Sequence, residues 1–219
     1  MIKRLSYLSR IGLLFTCWLF CNISQAVTRT TDLRCEMLNS PKGIDNTCPG
    51  LSWKLKIDHN GACQTSYQII AASAPNLLNE KDADLWNTGK VKSDQSLWVH
   101  YAGKALSSRS LVYWKVRIWD ETNNASPWSE EASFGIGLLN ITDWKAKYIG
   151  AQRKDSTASP LLHKTFQCND PSKKSFLHIN TLGFHEVYLN GKRISDDVLV
   201  PAVSEFSKRS LSMTYDVTS

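Results

Sequence analysis

The sequence predicts an all-β protein, an immunoglobulin-like sandwich followed by an incomplete second β-sandwich. Three observations predict it. Apolar and polar residues alternate over short runs bounded by turn residues. About seven such runs fall within some 110 residues, the density of a two-sheet sandwich. No stretch keeps a helical period. With 42% hydrophobic, 21% charged and 10% aromatic residues among 219, the chain has globular composition, which excludes disordered and fibrous classes.

The elements follow in order. Leu33–Leu38 reads as the first strand. Leu51–Ile57 alternates cleanly, with Leu51, Trp53, Leu55 and Ile57 on one face. The turn Asp58-His59-Asn60-Gly61 follows, and Asn-Gly is a strong turn signal. Tyr67–Ala72 is a strand, Ala74–Leu78 a brief helical turn, and Gly89–Val91 and Leu97–Tyr101 are short strands. Leu111–Asp120 is the clearest strand. Val112, Trp114, Val116 and Ile118 point to the core, while Tyr113, Lys115, Arg117 and Trp119 point outward. A turn at Thr122-Asn123-Asn124 leads to a last strand ending near Ile136. In the second unit Leu161–Phe166 and Ser175–Ile179 read as strands, Glu186–Ile194 as a hairpin turning at Asn190-Gly191, and Leu211–Val217 as another strand. Some 80 residues with about five strands are thin for an independent sandwich.

Residues 1–26 have the order of a cleaved export signal: Lys3, Arg4 and Arg10, then the uncharged run Ile11–Ile23, then Ser24-Gln25-Ala26. The expected mature start is Val27, in the periplasm or outside the cell, with no stable membrane span after cleavage. Three of the 26 Lys and Arg lie in this segment, leaving 23 against 20 acids, a net of +3. These charges are interspersed, so no basic block tracks a phosphate backbone, and a nucleic-acid partner is not expected. An oxidising compartment permits disulfides among Cys35, Cys48, Cys63 and Cys168, with three full pairings possible. Within the first module any bridge is expected to join Cys35 to Cys63. The strand between Cys48 and Cys63 holds those two at opposite ends of the sandwich. No cysteine or histidine spacing suits zinc, so no metal or cofactor is expected.

Eight motifs in order then carry a resemblance. They are Leu33-Arg34-Cys35-Glu36, Pro49-Gly50-Leu51-Ser52-Trp53, Gln64-Thr65-Ser66-Tyr67-Gln68-Ile69, Asp84-Leu85-Trp86-Asn87-Thr88-Gly89-Lys90-Val91, Tyr113-Trp114-Lys115-Val116-Arg117-Ile118-Trp119-Asp120, Asp143-Trp144-Lys145-Ala146-Lys147-Tyr148-Ile149-Gly150, Tyr188-Leu189-Asn190-Gly191-Lys192 and Thr214-Tyr215-Asp216-Val217-Thr218. The series resembles the N-terminal region of bacterial α-L-rhamnosidases of glycoside hydrolase family 78. Leu106, the Val112–Asp120 strand and Ser126-Pro127-Trp128-Ser129-Glu130 also resemble the last third of a fibronectin type III domain, although its corner tyrosine position reads Val112.

The resemblance implies a fibronectin-like module over 27–139 and the truncated start of the rhamnosidase N-terminal β-sandwich over 140–219. The acidic catalytic residues would belong to a later (α/α)6 barrel. The parent would remove terminal L-rhamnose with inversion, and the second module would be the place where rhamnose-containing glycans bind. Pro201-Ala202-Val203-Ser204 stands where the family tends to show Pro-Gly-Trp-Thr, which removes a stacking tryptophan. The alternative is a stand-alone exported carbohydrate-binding or adhesive β-module.

No catalytic residue is assigned within this chain. Inversion needs two carboxyls about 6.5–9.5 Å apart. Glu186, Asp196, Asp197 and Glu205 read instead as solvated turn and strand-edge charges. His178 and His185 are an odd number of residues apart, so on one strand they would face opposite ways. Trp98, Trp119, Trp128 and Trp144 are candidate sugar platforms, with Trp144 expected to fill the junction between sandwiches. Trp53 and Trp114 are expected in the core.

Overall fold

The computed structural model describes residues 28–56, 60–151, 159–167, 170 and 173–218. The expected export segment, Ile57, Asp58, His59 and Cys168 lie outside them. The first unit begins with β1 (Arg29–Cys35), β2 (Gly50–Lys56) and β3 (Ser66–Ala72). A 3-10 turn at Pro75–Leu77 precedes β4 (Trp86–Asn87), β5 (Val91–Lys92) and β6 (Val99–His100). The long β7 (Leu111–Trp119) and β8 (Ala132–Gly135) complete it. One sheet has the order β1-β2-β6, and the other β4-β3-β7-β8 with β5 also on β3. All these pairs are antiparallel.

The alternation read from the sequence is what closes this sandwich. Val112, Trp114, Val116 and Ile118 from β7 are fully buried with Ile69 and Phe134, opposite Leu51 and Trp53 of the other sheet. Trp53 meets Tyr67 edge-on at 5.4 Å between ring centroids, and Tyr101 meets Phe134 at 6.2 Å. Tyr113, on the outward face of β7, is buried in a second small cluster with Ile70, Ala72 and Leu78, beneath the 3-10 turn. Val112 supplies no corner hydroxyl, but the nearly buried Tyr101 donates its own to the Lys104 carbonyl at 2.9 Å. Where β8 ends, Ser126 and Ser129 take over the edge of β7. Their backbone N–H groups donate to Ile118 and Val116 carbonyls, and their hydroxyls accept from the same residues' N–H groups.

Two expectations are corrected in this unit. The first strand ends at Cys35, not Leu38, because Glu36 and Met37 adopt φ of 51° and 61° and turn the chain away. The Cys35–Cys63 pairing also fails. Antiparallel register sets Cys35 opposite Leu51, at the end of β2 that Cys48 precedes. Cys63 follows the far end, where its N–H donates to Glu121. Cys35, Cys48 and Cys63 are free thiols.

The second unit holds β9 (Phe176–Asn180), β10 (Tyr188–Leu189), β11 (Lys192–Arg193) and β12 (Ser212–Asp216). β9 pairs β12 and β10 pairs β11, both antiparallel. The expected hairpin turns at Asn190 and Gly191, both at positive φ, 49° and 79°, as a two-residue turn matched to strand twist requires. Leu161–Phe166 is not a strand. Leu161 is 94% exposed, and no described segment pairs with this one. Alternation makes a strand only where a partner supplies hydrogen bonds.

The two units meet through the 41–44 segment and the linker. Gly135 N–H donates to the Pro41 carbonyl, Ile44 N–H to Gly135 and Gly137 N–H to Ile44, so this segment lies along β8. Gly43, at φ 78°, sits so close to the second unit that an added Cβ would come within 2.2 Å of Thr214 Oγ1. A 3-10 turn at Ile141–Asp143 is anchored by the Asp143 carboxylate, which accepts from Ser108 and from the Asn140 backbone. Trp144 is half-buried at its end.

Candidate functional site

The acids of the second unit form no catalytic pair. Glu186 accepts from the Tyr188 hydroxyl at 3.0 Å and pairs with Arg193 at 3.3 Å. Asp197 accepts from Ser195, Glu205 pairs with Lys208, and all four acids are exposed. Glu186 and Asp197 border one depression of about 10 Å³, room for roughly one water and not for a sugar.

The histidines are equally separate. His178 lies on β9 and bonds Thr214 Oγ1 at 2.9 Å. His185, which lies off any strand, bonds Thr181 and the Tyr215 hydroxyl at 2.9 and 3.0 Å. Thr214 and Tyr215 are neighbours on β12 and so point to its opposite faces. Burial holds both imidazoles below the usual histidine range, and for His178 the Arg109 charge adds to it.

The tryptophans divide. Trp119 and Trp128 hold the Arg117 guanidinium between them, 5.1 and 4.7 Å from their ring centroids. Lys90 lies over Trp119 and Lys115 over Trp128. Arg117 also bonds Gln68 and pairs with Glu80. Cations thus cover these rings, which consolidate the outer face of β7. Trp98 differs. It is 44% exposed at φ 54°, a conformation bulky residues avoid. Its N–H donates to Ser52 Oγ at 3.0 Å, its carbonyl accepts from Gln95 at 3.1 Å, and its ring rests against Gly50. A Cβ on Gly50 would sit 2.1 Å from Trp98 Cε3, so only glycine lets the ring lie there.

Sequence reasoning missed a concavity at the junction. A cavity of about 230 Å³ opens between the two units. Lys42, Arg109 and Lys174 line it, with His178 and Thr214 from the second unit and an apolar wall that includes Phe176. Lys42 Nζ donates to Ser133 Oγ at 2.9 Å, and Arg109 donates to the Asp143 backbone carbonyl at 3.0 Å. Burial pulls the Lys42 ammonium below its ordinary range, with the Asp216 charge opposing and Lys174 adding to the fall. Burial pushes the Asp216 carboxyl up, but bonds from Thr218 and the charges of Lys174 and Lys42 outweigh it and leave it low. The three cations stand far apart in the sequence, so no local motif announces them. Among the described residues no His, Cys, Asp and Glu cluster could hold a metal, and no helix is long and apolar enough to cross a membrane.

The fold therefore defines an immunoglobulin-like β-sandwich joined to a second, smaller β unit, with a basic cleft between them. Two family models match in that order: "Rha78A-like, N-terminal immunoglobulin domain" over residues 30–140 and "Alpha-L-rhamnosidase N-terminal domain" over residues 170–219. An α-L-rhamnosidase of Formosa agariphila is 37% identical over 193 residues, 84% of this chain and 21% of that protein. One from Alteromonas sp. (strain LOR) is 39% identical over 190 residues, covering 82% and 20%. The solved α-L-rhamnosidase from Dictyoglumus thermophilum superposes with a TM-score of 0.76 at 35% identity, covering 86% of this chain and 23% of that one. The chain belongs to the α-L-rhamnosidase family of glycoside hydrolases and corresponds to its N-terminal region. It spans about a fifth of the length of these relatives.

Proposed function

We propose that this chain is the non-catalytic N-terminal part of an exported α-L-rhamnosidase whose full length removes terminal α-L-rhamnose from glycans or glycosides. The observation that carries the reading is the ordered match of both β units to the N-terminal domains of α-L-rhamnosidases about five times as long. The exposed, separately engaged acids of the second unit support it, since hydrolysis needs a carboxyl raised in an apolar pocket. The role here is to brace the remainder of the enzyme through the second unit. That unit leaves Leu161, Phe166, Leu182, Phe184 and Tyr188 exposed. The test is turnover of an aryl α-L-rhamnoside. The purified chain is expected to release nothing while a full-length relative does. Turnover by this chain that survives repurification and vanishes on Glu186→Gln or Asp197→Asn overturns the proposal.

A second reading, an exported carbohydrate-binding module, is favoured by Trp98 alone. A rhamnose-rich polysaccharide that retards the chain in affinity electrophoresis, but not Trp98→Ala, would establish it. Equal mobility with and without the polysaccharide removes it.

A further inference from the structure

The junction cleft gathers positive charge at its lining. Lys42, Arg109 and Lys174 come from three segments, and no carboxylate lines the cavity. Among the described residues no ion pair joins any of the three to an acid. Two acids outside the lining bear on the cluster through their charge alone. Asp143 accepts from Ser108 and Asn140, offers Arg109 its backbone carbonyl, and bears on the guanidinium with its charge without an ion-pair contact. Asp216 accepts from the Thr218 N–H at 3.0 Å and acts on Lys42 and Lys174 without an ion-pair contact to either, so two acids face three cations and one positive charge is left over.

The cations are also held in place before any ligand arrives. The Lys42 segment is fixed along β8 by three backbone bonds. Arg109 sits at φ 69°, its N–H shared between the Ile136 and Gly137 carbonyls. Lys174 lies two residues before β9, and its ammonium lies 5.8 Å from the Tyr113 ring centroid. Holding a non-glycine residue at that φ costs backbone energy, which persists only where the surroundings fix it. The cavity exceeds what a bare oxyanion needs, and Leu111, Ile136 and Phe176 give it an apolar side.

We propose that this inter-unit cleft binds a small oxyanion, either free or as the acidic group of a single sugar unit lying against the apolar wall. Lys42, Arg109 and Lys174 would meet the oxyanion, and the Thr214 hydroxyl and the Gly43 backbone would border it. Because the site draws on both units, occupancy would also tie them together. The proposal does not depend on which glycan the full-length protein acts on.

The experiment is an NMR titration of the purified chain at constant ionic strength, following the His178 ring resonances. His185, on the opposite face of β12, is the internal control. The probes are sulfate, acetate, galacturonate and L-rhamnose, against chloride. Saturable movement of His178 but not His185 with the anionic probes is expected, and none with L-rhamnose. Tighter binding of galacturonate than of acetate identifies the acidic sugar. Equal binding of acetate and galacturonate identifies the free oxyanion, and either result supports the site. Lys42→Met and Lys174→Met should each weaken binding by about tenfold or more, since each removes a charge-assisted contact. Lys90→Met, which removes a cation over Trp119, should leave binding unchanged. Unaltered tryptophan emission certifies the first unit of each variant, and an unchanged rate of proteolysis beyond Asn140 certifies the second. Absence of saturable movement with every anion overturns the proposal, and so does undiminished binding by folded Lys42→Met and Lys174→Met.

Discussion

Gln64→Leu tests how the first sandwich holds its loop between β5 and β6. Gln64 is 4% exposed and makes three bonds. Its Oε1 accepts from the buried Trp53 indole N–H at 3.0 Å, and its Nε2 donates to the Ser93 and Gln95 carbonyls at 3.1 and 2.9 Å. Leucine keeps the volume and deletes all three. The orphaned indole has no route to water, since Trp53 is 2% exposed, and should cost about 1–3 kcal/mol. Ser93 and Gln95 are not buried, so water replaces much of what their carbonyls lose, and about 0.5 kcal/mol each is enough. The sum is about 2–4 kcal/mol, equivalent to a fall in melting temperature of about 10 °C or more for a domain of this size. Urea unfolding followed by tryptophan emission reads it, because Trp53, Trp86, Trp98, Trp114, Trp119 and Trp128 all belong to this unit. Trp53→Phe removes the orphaned donor, so the double variant should recover about 1–2 kcal/mol relative to additivity. A Gln64→Leu loss below about 1 kcal/mol, or strict additivity in the cycle, would refute the buried-donor argument.

Further outcomes follow from other contacts. Gly43→Ala should separate the units, because its Cβ meets Thr214 and its φ of 78° disfavours alanine; proteolysis beyond Asn140 should accelerate while tryptophan emission holds. Ellman's reagent should modify Cys48 and Cys63 in the folded chain but spare Cys35, whose thiol burial and the Glu36 charge push up to about 12; modification of all three at equal rates would contradict its burial. Acid should weaken the second unit before the first. His178 and His185 fold with lowered pKa values, so the unfolded chain takes up more protons as pH falls through 6.5, and their contribution, complete above that value, is lost on the way down to the folded values. Cleavage beyond Asn140 that rises between pH 7.5 and 5.5 at constant tryptophan emission is the expected result, and pH-independent cleavage would contradict it.

Much of the first unit was legible because its strands carry their own pattern. β7 alternates over nine residues, and its apolar set is the core. Asn190-Gly191 announced its hairpin for a similar reason, since few other pairs accept two positive φ values. Leu161–Phe166 failed because periodicity does not supply a partner. The cysteine pairing failed on register: antiparallel strands bring the end of β1 to the start of β2, so Cys35 could never approach Cys63. The cleft was illegible for a deeper reason. Lys42, Arg109 and Lys174 look like ordinary surface charges one by one, and only the run of 41–44 along β8 and the approach of the second unit at the cavity bring them to one lining. Trp98 was named as a platform, but its unusual φ, the feature that separates it from Trp119 and Trp128, depends on Ser52, Gln95 and Gly50 acting together.

The 41–44 segment also sets an order in time. Its bonds to Gly135 and Gly137, with the Ile44–Ile136 bridge, close the first sandwich, and among the described residues no strand of that sandwich pairs with a strand beyond Gly137. Synthesis delivers residues from the N-terminus at about 5–20 per second, so tens of residues leave seconds for folding. The first sandwich can be complete while β12 is still unmade. The second unit then meets a wall that already displays Lys42 and Arg109, so the cleft takes shape only when Thr214 reaches Gly43.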